Sequence, residues 1–110
     1  MDTGVDYTVI TVPKYNDSFS RITLDGTLYQ IRFSYNMATD CWKFGLFTAW
    51  YEPIFQDVKI VPGAPLNHSF CQKPYPRVWF GVKTKLDRVG YRDFWDGNAE
   101  FFYMELADNG

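Results

Sequence analysis

Residues 18–47 read SFSRITLDGTLYQIRFSYNMATDCWKFGLF, and this stretch decides the fold. Apolar side chains recur at every second position with polar ones between them, which is typical of strands that bury one face. Asp25-Gly26 interrupts the alternation with a dipeptide that accepts the positive φ angles of a two-residue hairpin turn. A second connection, at 36–40, precedes another alternating run. The stretch therefore predicts a three-stranded antiparallel meander.

The apolar phase of this meander supplies most of the expected core. Ile31 and Phe33 share one face of the second strand, and Trp42 and Phe44 share one face of the third. Phe102, in the last apolar run of the chain, lies in phase with two further apolar residues. We expect these five side chains to form the centre of the core.

Four further runs, at 7–12, 54–61, 79–86 and 100–106, have the composition of short strands. The first ends at Pro13, which cannot donate to a strand ladder, and is therefore expected at a sheet edge. In the second, Ile54, Val58 and Ile60 share one phase of the alternation, and Phe55, Asp57 and Lys59 share the other. No segment keeps a helical period over ten or more residues, although 87–95 has room for one helical turn. About seven short strands predict an all-β fold, a small antiparallel barrel or sandwich.

The chain has 110 residues, which is the size of one domain with a single core. We expect one β domain over 1–110, with an N-terminal tail at 1–7 and a C-terminal tail at 107–110. The start of the chain lacks the pattern of a secretory signal, and no run approaches the roughly 20 apolar residues of a membrane span. A protein made in a reducing cytoplasm is expected, with Cys41 and Cys71 as free thiols.

Aromatic residues make up 20% of the chain, more than a core of this size requires. Some rings must therefore lie at the surface, and aromatic side chains are enriched at protein interfaces. The loop after the meander and the irregular polar stretches carry several of them. The expected interface anchors are Trp50, Tyr51, Tyr75, Trp79, Phe94 and Trp95.

Catalytic and metal-binding motifs are not recognisable in the sequence. The one histidine, His68, has no nucleophile motif beside it. Cys41, His68 and Cys71 are one ligand short of a structural zinc site. The carboxylates between 87 and 100 alternate with Lys and Arg, as on a solvated surface. We therefore expect no enzyme, no cofactor, no metal and no small-molecule substrate.

The net charge of −2 is dispersed along the chain, which argues against sequence-specific or phosphate-led binding of nucleic acid. Exposed aromatic rings also stack on sugars and on unpaired bases. The negative charge disfavours single-stranded nucleic acid, but sugar binding stays open. An aromatic-rich β-sandwich carbohydrate-binding module is therefore the alternative to an interaction protein.

The ordered series of motifs has a counterpart in a known family. The Asp25-Gly26 hairpin, the Trp42 strand, the segment Ile60-Val61-Pro62-Gly63, a glycine-containing strand at 80–86 and a closing aromatic strand follow one another along the chain. From about Thr8 to Leu106 the chain resembles the small baseplate plug proteins of contractile-tailed, myovirus-type bacteriophages.

This resemblance implies a non-enzymatic structural protein of the virion. Its expected place is the tail baseplate, packed around the tail-tube hub and the spike, where it helps to close the tube before injection. The implied partners are other baseplate, tube, hub and spike proteins, with no membrane involved and with assembly in the host cytoplasm. A tail-tube or head-completion protein of the same phages is a further possibility.

Overall fold

The computed structural model describes residues 7–63, 66 and 76–105. Within these residues seven strands form two antiparallel sheets. The strands are β1 Thr8–Ile10, β2 Asp17–Leu24, β3 Thr27–Asn36, β4 Cys41–Thr48, β5 Pro53–Lys59, β6 Val78–Thr84 and β7 Ala99–Glu105. The first sheet has the order β2-β3-β4-β5 and the second the order β1-β7-β6. The predicted all-β fold is confirmed, and the two separate sheets make it a sandwich. Apart from Tyr7, the expected tails lie outside the described residues.

The predicted meander of β2, β3 and β4 is present, with the expected two-residue turn between β2 and β3. Leu24 pairs with Thr27, which leaves Asp25 and Gly26 as the turn, with φ angles of 52° and 80°. Positive φ at both central positions is the mark of the turn that matches the twist of a two-residue hairpin. At the next connection the Asn36 side-chain oxygen accepts a hydrogen bond from the Ala38 N–H at 2.9 Å. Local turn chemistry therefore sets both connections.

The core lies between the inner faces of the two sheets. Ile31, Phe33, Trp42 and Phe44 are fully buried there. The Phe33 ring meets Phe101 of β7 edge to face at 4.9 Å between centroids. Such aromatic contacts add stability beyond the area they bury, and here they join the two sheets.

The last strand faces the core with the opposite phase to the one expected. Phe101, not Phe102, is fully buried, and Ala99 is buried on the same side. The Phe102 ring lies on the other face, where it contacts Tyr7 at 5.2 Å. Both phases of this run carry aromatic rings, so alternation alone could not choose between them, and the expectation for Phe102 was wrong.

The phase of β5 also differs from expectation, because the strand is bulged. Leu46 pairs with Phe55 and Phe44 with Val58, so three steps on β5 match two on β4. Asp57 takes up the extra residue with a φ of 62°. A bulge shifts the alternation by one residue. As a result Phe55 joins the core together with Val58 and Ile60, although simple alternation puts it on the opposite phase from them.

Cys41 is buried with a free thiol, although it belongs to the polar phase of β4. The expected thiol at Cys71 lies outside the described residues. Among the residues that are described, none belongs to a helix long and apolar enough to cross a membrane.

Candidate docking surface

The loop between β4 and β5, residues 49–52, is held by its own backbone. The Thr48 N–H donates to the Glu52 carbonyl at 2.8 Å, and the Tyr51 N–H donates to the Thr48 carbonyl at 2.9 Å. The Thr48 hydroxyl accepts hydrogen bonds from the Trp50 and Glu52 N–H groups at 3.2 and 3.1 Å. These four bonds brace a short loop, so its side chains project from a defined frame.

Two large rings project from this braced loop. Trp50 is 83% exposed and Tyr51 is 56% exposed. Tyr51 also has a φ of 66°, a left-handed conformation that costs an L-residue roughly 1–2 kcal/mol. The fold therefore keeps both aromatic side chains exposed to solvent, and at Tyr51 it also imposes an unfavourable backbone conformation.

Tyr51 belongs to a second aromatic group on the outer face of the first sheet. We call Phe19, Phe47 and Tyr51 the outer aromatic cluster. The Phe19 ring lies 5.1 Å from each of the other two, edge to face. The Arg32 guanidinium lies 5.7 Å from the centre of the Phe19 ring and pairs with both carboxylate oxygens of Asp17, at 2.8 and 2.6 Å. The pair positions a cation over the ring, and Phe19 remains 43% exposed.

Trp50 borders an open apolar recess on the other side of the loop. The recess has a volume of about 620 Å³ and is lined by Leu28, Tyr29, Ile54 and neighbouring backbone. Leu28 is itself 42% exposed. The loop thus has the recess on one side and the outer aromatic cluster on the other. We call Trp50, the recess and the outer aromatic cluster together the tip surface. Apolar recesses beside exposed rings can receive partner side chains.

The other expected anchors have different positions. Phe94 and Trp95 are half-buried and pack on Trp42, each with centroids 5.8 Å away. The Trp95 indole N–H donates to the Pro13 carbonyl at 3.1 Å, so this ring serves the fold. Trp79 is half-buried, and its indole nitrogen is buried without a hydrogen-bond partner in the described part of the chain. Tyr75 lies outside the described residues.

Phe19 and Leu28 are exposed on the tip surface, and Phe47 is buried against the Phe19 ring. None of the three was among the expected anchors. A signal for Phe19 existed in the sequence, since it lies three residues from Ile22 and therefore on the opposite, polar phase of β2. An aromatic ring on a polar phase has no core to fill. Phe47 and Leu28 carry the same signal, because each lies on the phase of its strand opposite to the one that supplies the core.

The polar groups described in the structure serve local architecture. Within those residues no three His, Cys, Asp or Glu side chains come together as a metal site. Asp93 accepts hydrogen bonds from the Gly90 N–H at 2.6 Å and from the Asn98 amide at 3.2 Å, which fixes the loop before β7. His68 and Cys71 lie outside the described ranges.

One charged network joins the β3–β4 turn to the loop at 87–98. The Tyr35 hydroxyl donates to one oxygen of Asp40, and the Arg88 guanidinium donates to the other at 2.7 Å. The hydrogen bond to the Asp40 carboxylate raises the pKa of Tyr35 to about 12. Tyr35 and Arg88, both donating to Asp40, lower the pKa of its carboxyl. This network is far from the tip surface along β4 and closes the opposite end of the sandwich.

A protein-family model described as "Cyanophage baseplate Pam3 plug gp18" matches residues 7–107. The chain belongs to this phage baseplate plug family. The resemblance read from the sequence is thereby confirmed. No functionally curated protein matches the chain. Membership of the plug family makes the chain a structural protein of the tail baseplate that associates with other baseplate proteins.

Proposed function

We propose that this plug-family protein is a structural component of a contractile tail, packed in the baseplate around the tail-tube hub and spike. It works by contact with neighbouring chains and not by chemistry. One observation carries the proposal: Trp50 and Tyr51 are displayed from a backbone-braced loop beside an apolar recess. Membership of a baseplate plug family supports the same conclusion.

The tip surface has the properties of an interface centre. Trp, Tyr and Arg dominate the energetically important residues of interfaces. The tip surface holds Trp50 and Tyr51, and Arg32 lies beside it against the Phe19 ring. Burying one large apolar side chain contributes about 1.5–3 kcal/mol. Because the loop is already ordered, docking costs it little conformational entropy. Apolar area buried at this surface would therefore contribute to binding affinity with little loss to ordering of the loop.

Alanine substitution at Trp50 tests the proposal in assembled tails. We expect Trp50→Ala to fold normally and to lower the amount of the protein in purified tails at least about tenfold, equivalent to about 1.4 kcal/mol of docking energy. Tyr15→Ala is the matched control, since Tyr15 is 68% exposed and lies near the opposite end of the sheet. Wild-type incorporation of Trp50→Ala would remove the tip surface from the interface. A particle map without density for the chain in the baseplate would contradict the whole proposal.

The exposure of Trp50 beside an open recess also favours a second candidate, a carbohydrate-binding module. Sugar platforms present a flat ring to solvent in the same way. Titration with oligosaccharides, followed by tryptophan fluorescence, separates the two. Saturable quenching that disappears in Trp50→Ala would favour sugar binding, whereas an unchanged spectrum favours the structural role.

A further inference from the structure

The two sheets have four edge strands, and three of them are protected against pairing with another chain. β1 has three residues and is soon followed by Pro13. β5 carries the bulge at Asp57. The Phe80 carbonyl of β6 accepts a hydrogen bond from the Leu66 N–H at 2.8 Å. Short strands, prolines, bulges and covering segments are the usual means of blocking an edge.

The fourth edge, β2, has none of these four protections among the described residues, although it carries the charged side chains of Asp17 and Arg21, which also discourage indiscriminate pairing. Its eight residues contain no proline, and they pair with β3 in unbroken register from Asp17 to Leu24. β3 is its only strand partner in the described structure. A long, regular edge of this kind is a template for one more strand.

The hairpin geometry determines which backbone groups of β2 are available. Leu24 and Thr27 flank the two-residue turn, so they exchange both of their hydrogen bonds. Counting back from Leu24, every second residue of β2 likewise directs its N–H and C=O groups toward β3. The N–H and C=O groups of Phe19, Arg21 and Thr23 therefore point away from the sheet.

Side chains beside these groups define the chemistry of a partner. Phe19 and Arg21 are exposed on the outer face of β2. Arg32 pairs with Asp17, but Arg21 has no ion pair with any described residue. A strand laid along this edge would place one side chain directly opposite Arg21 and another, two residues away, beside Phe19.

We propose that β2 accepts an extended strand from a neighbouring baseplate chain. The added strand carries a carboxylate opposite Arg21 and an apolar side chain beside Phe19, two residues apart. This inference rests on the proposed function and specifies how one partner binds. It also extends the first sheet to five strands next to the outer aromatic cluster.

A different chain fits this edge better than a second copy. Antiparallel self-pairing centred on Arg21 would set two like charges opposite each other, which destabilises a sheet. The only carboxylate on that face of β2 is Asp17, and both of its oxygens already bind Arg32. A second copy therefore has no free carboxylate to offer Arg21 from β2.

Backbone and charge variants test the proposal separately. Thr23→Pro removes an outward N–H and keeps the bonds to β3, whereas Thr23→Val keeps the N–H and is the matched control. Arg21→Glu reverses the charge of the side chain that has no ion pair with any described residue. Its control is Lys85→Glu, which reverses the charge of a different exposed side chain. We expect Thr23→Pro and Arg21→Glu to lower incorporation into tails at least about tenfold and both controls to match wild type. Wild-type incorporation of folded Thr23→Pro would overturn the proposal. If Thr23→Pro does not fold, wild-type incorporation of folded Arg21→Glu would overturn the proposal.

Amide hydrogen exchange of the unmodified protein provides an independent readout. In the purified chain the Phe19, Arg21 and Thr23 amides should exchange much faster than those of Ser20 and Ile22. In assembled tails all five should be protected. Unprotected β2 amides in tails that contain the chain would overturn this inference alone, and absence of the chain from tails would overturn the proposed function. Protection in the purified chain, with a doubling of mass, would identify a second copy as the occupant and contradict the proposal.

Discussion

The Trp42 indole nitrogen lies 3.2 Å from the carbonyl oxygen of Gly90, 48 residues away in sequence. It also lies 3.3 Å from the Tyr91 carbonyl. Trp42 thus connects the meander to the irregular loop at 87–98, which covers one end of the core. The same loop adds the Arg88 contact to Asp40 and the packing of Trp95 on the Trp42 ring.

Substitution of Trp42 should separate packing from hydrogen bonding. Trp42→Ala should lower the free energy of unfolding by about 3–5 kcal/mol, because it leaves a cavity in the core. Trp42→Phe keeps most of the ring but loses the N–H, and should cost about 1–3 kcal/mol. Urea denaturation measures both. Trp50→Ala is the control and should change stability by about 0.5 kcal/mol or less. A Trp42→Phe variant as stable as wild type would contradict the role of the bond to Gly90.

Gly81 provides room for the ring of Phe102. A Cβ atom at Gly81 would lie 2.7 Å from Cζ of Phe102. Gly81→Ala should therefore lower the free energy of unfolding by about 1–3 kcal/mol. Phe102→Leu shortens the opposing side chain, so the double variant should be more stable than the sum of the single effects predicts. Strictly additive effects in the double-mutant cycle would show that the two residues do not contact each other.

The bulge in β5 stores backbone strain at an exposed residue. Asp57 has a φ of 62°, which glycine adopts without a steric penalty. Asp57→Gly should raise the free energy of unfolding by about 1 kcal/mol, and Asp57→Val should lower it. Thermal unfolding of the three proteins measures the order. Equal stability of the glycine and valine variants would mean that the bulge is absent in solution.

The raised pKa of Tyr35 predicts that the fold loses stability at alkaline pH. Its pKa is raised from 10.0 to about 12 by the hydrogen bond to Asp40. A raised pKa in the folded state stabilises the fold fully below pH 10.0, and this contribution is lost as the pH rises to about 12. Tyr35→Phe should therefore flatten the pH dependence of stability in this window. Ultraviolet titration of tyrosinate should show one group fewer titrating near pH 12 in the variant, and an unchanged curve would contradict the assignment.

The lowered pKa values of Asp17 and Asp40 predict that the fold loses stability at acidic pH. The Arg32 hydrogen bond lowers the pKa of Asp17, and those from Tyr35 and Arg88 lower the pKa of Asp40. A lowered pKa stabilises the fold above the ordinary value of 3.8, and the contribution is lost as the pH falls through the folded-state value. Replacing either residue with Asn should reduce the acid sensitivity seen in urea denaturation between pH 5 and about 2. A variant as acid-sensitive as wild type would exclude that carboxyl as a contributor.

Local sequence patterns predicted the meander and part of the candidate site. Asp25-Gly26 determined the hairpin register, because few dipeptides accept positive φ at both positions. Trp50 and Tyr51 were expected at the surface because they follow a strand and precede a proline. The exposed position of both follows from a loop too short to fold over them.

By itself, then, the sequence determined the all-β class, the β2–β3–β4 meander and the exposed aromatic loop, since each depends on neighbouring residues. The tertiary structure alone decided which phase of β5 and β7 faces inward. A bulge moved Phe55 into the core, and packing between the sheets chose Phe101 over Phe102. It also placed Phe94 and Trp95 against Trp42 instead of at the surface. Alternation identifies the buried face of a strand only where its two faces differ in polarity. Where both faces carry aromatic rings, packing against the opposite sheet decides which face is buried.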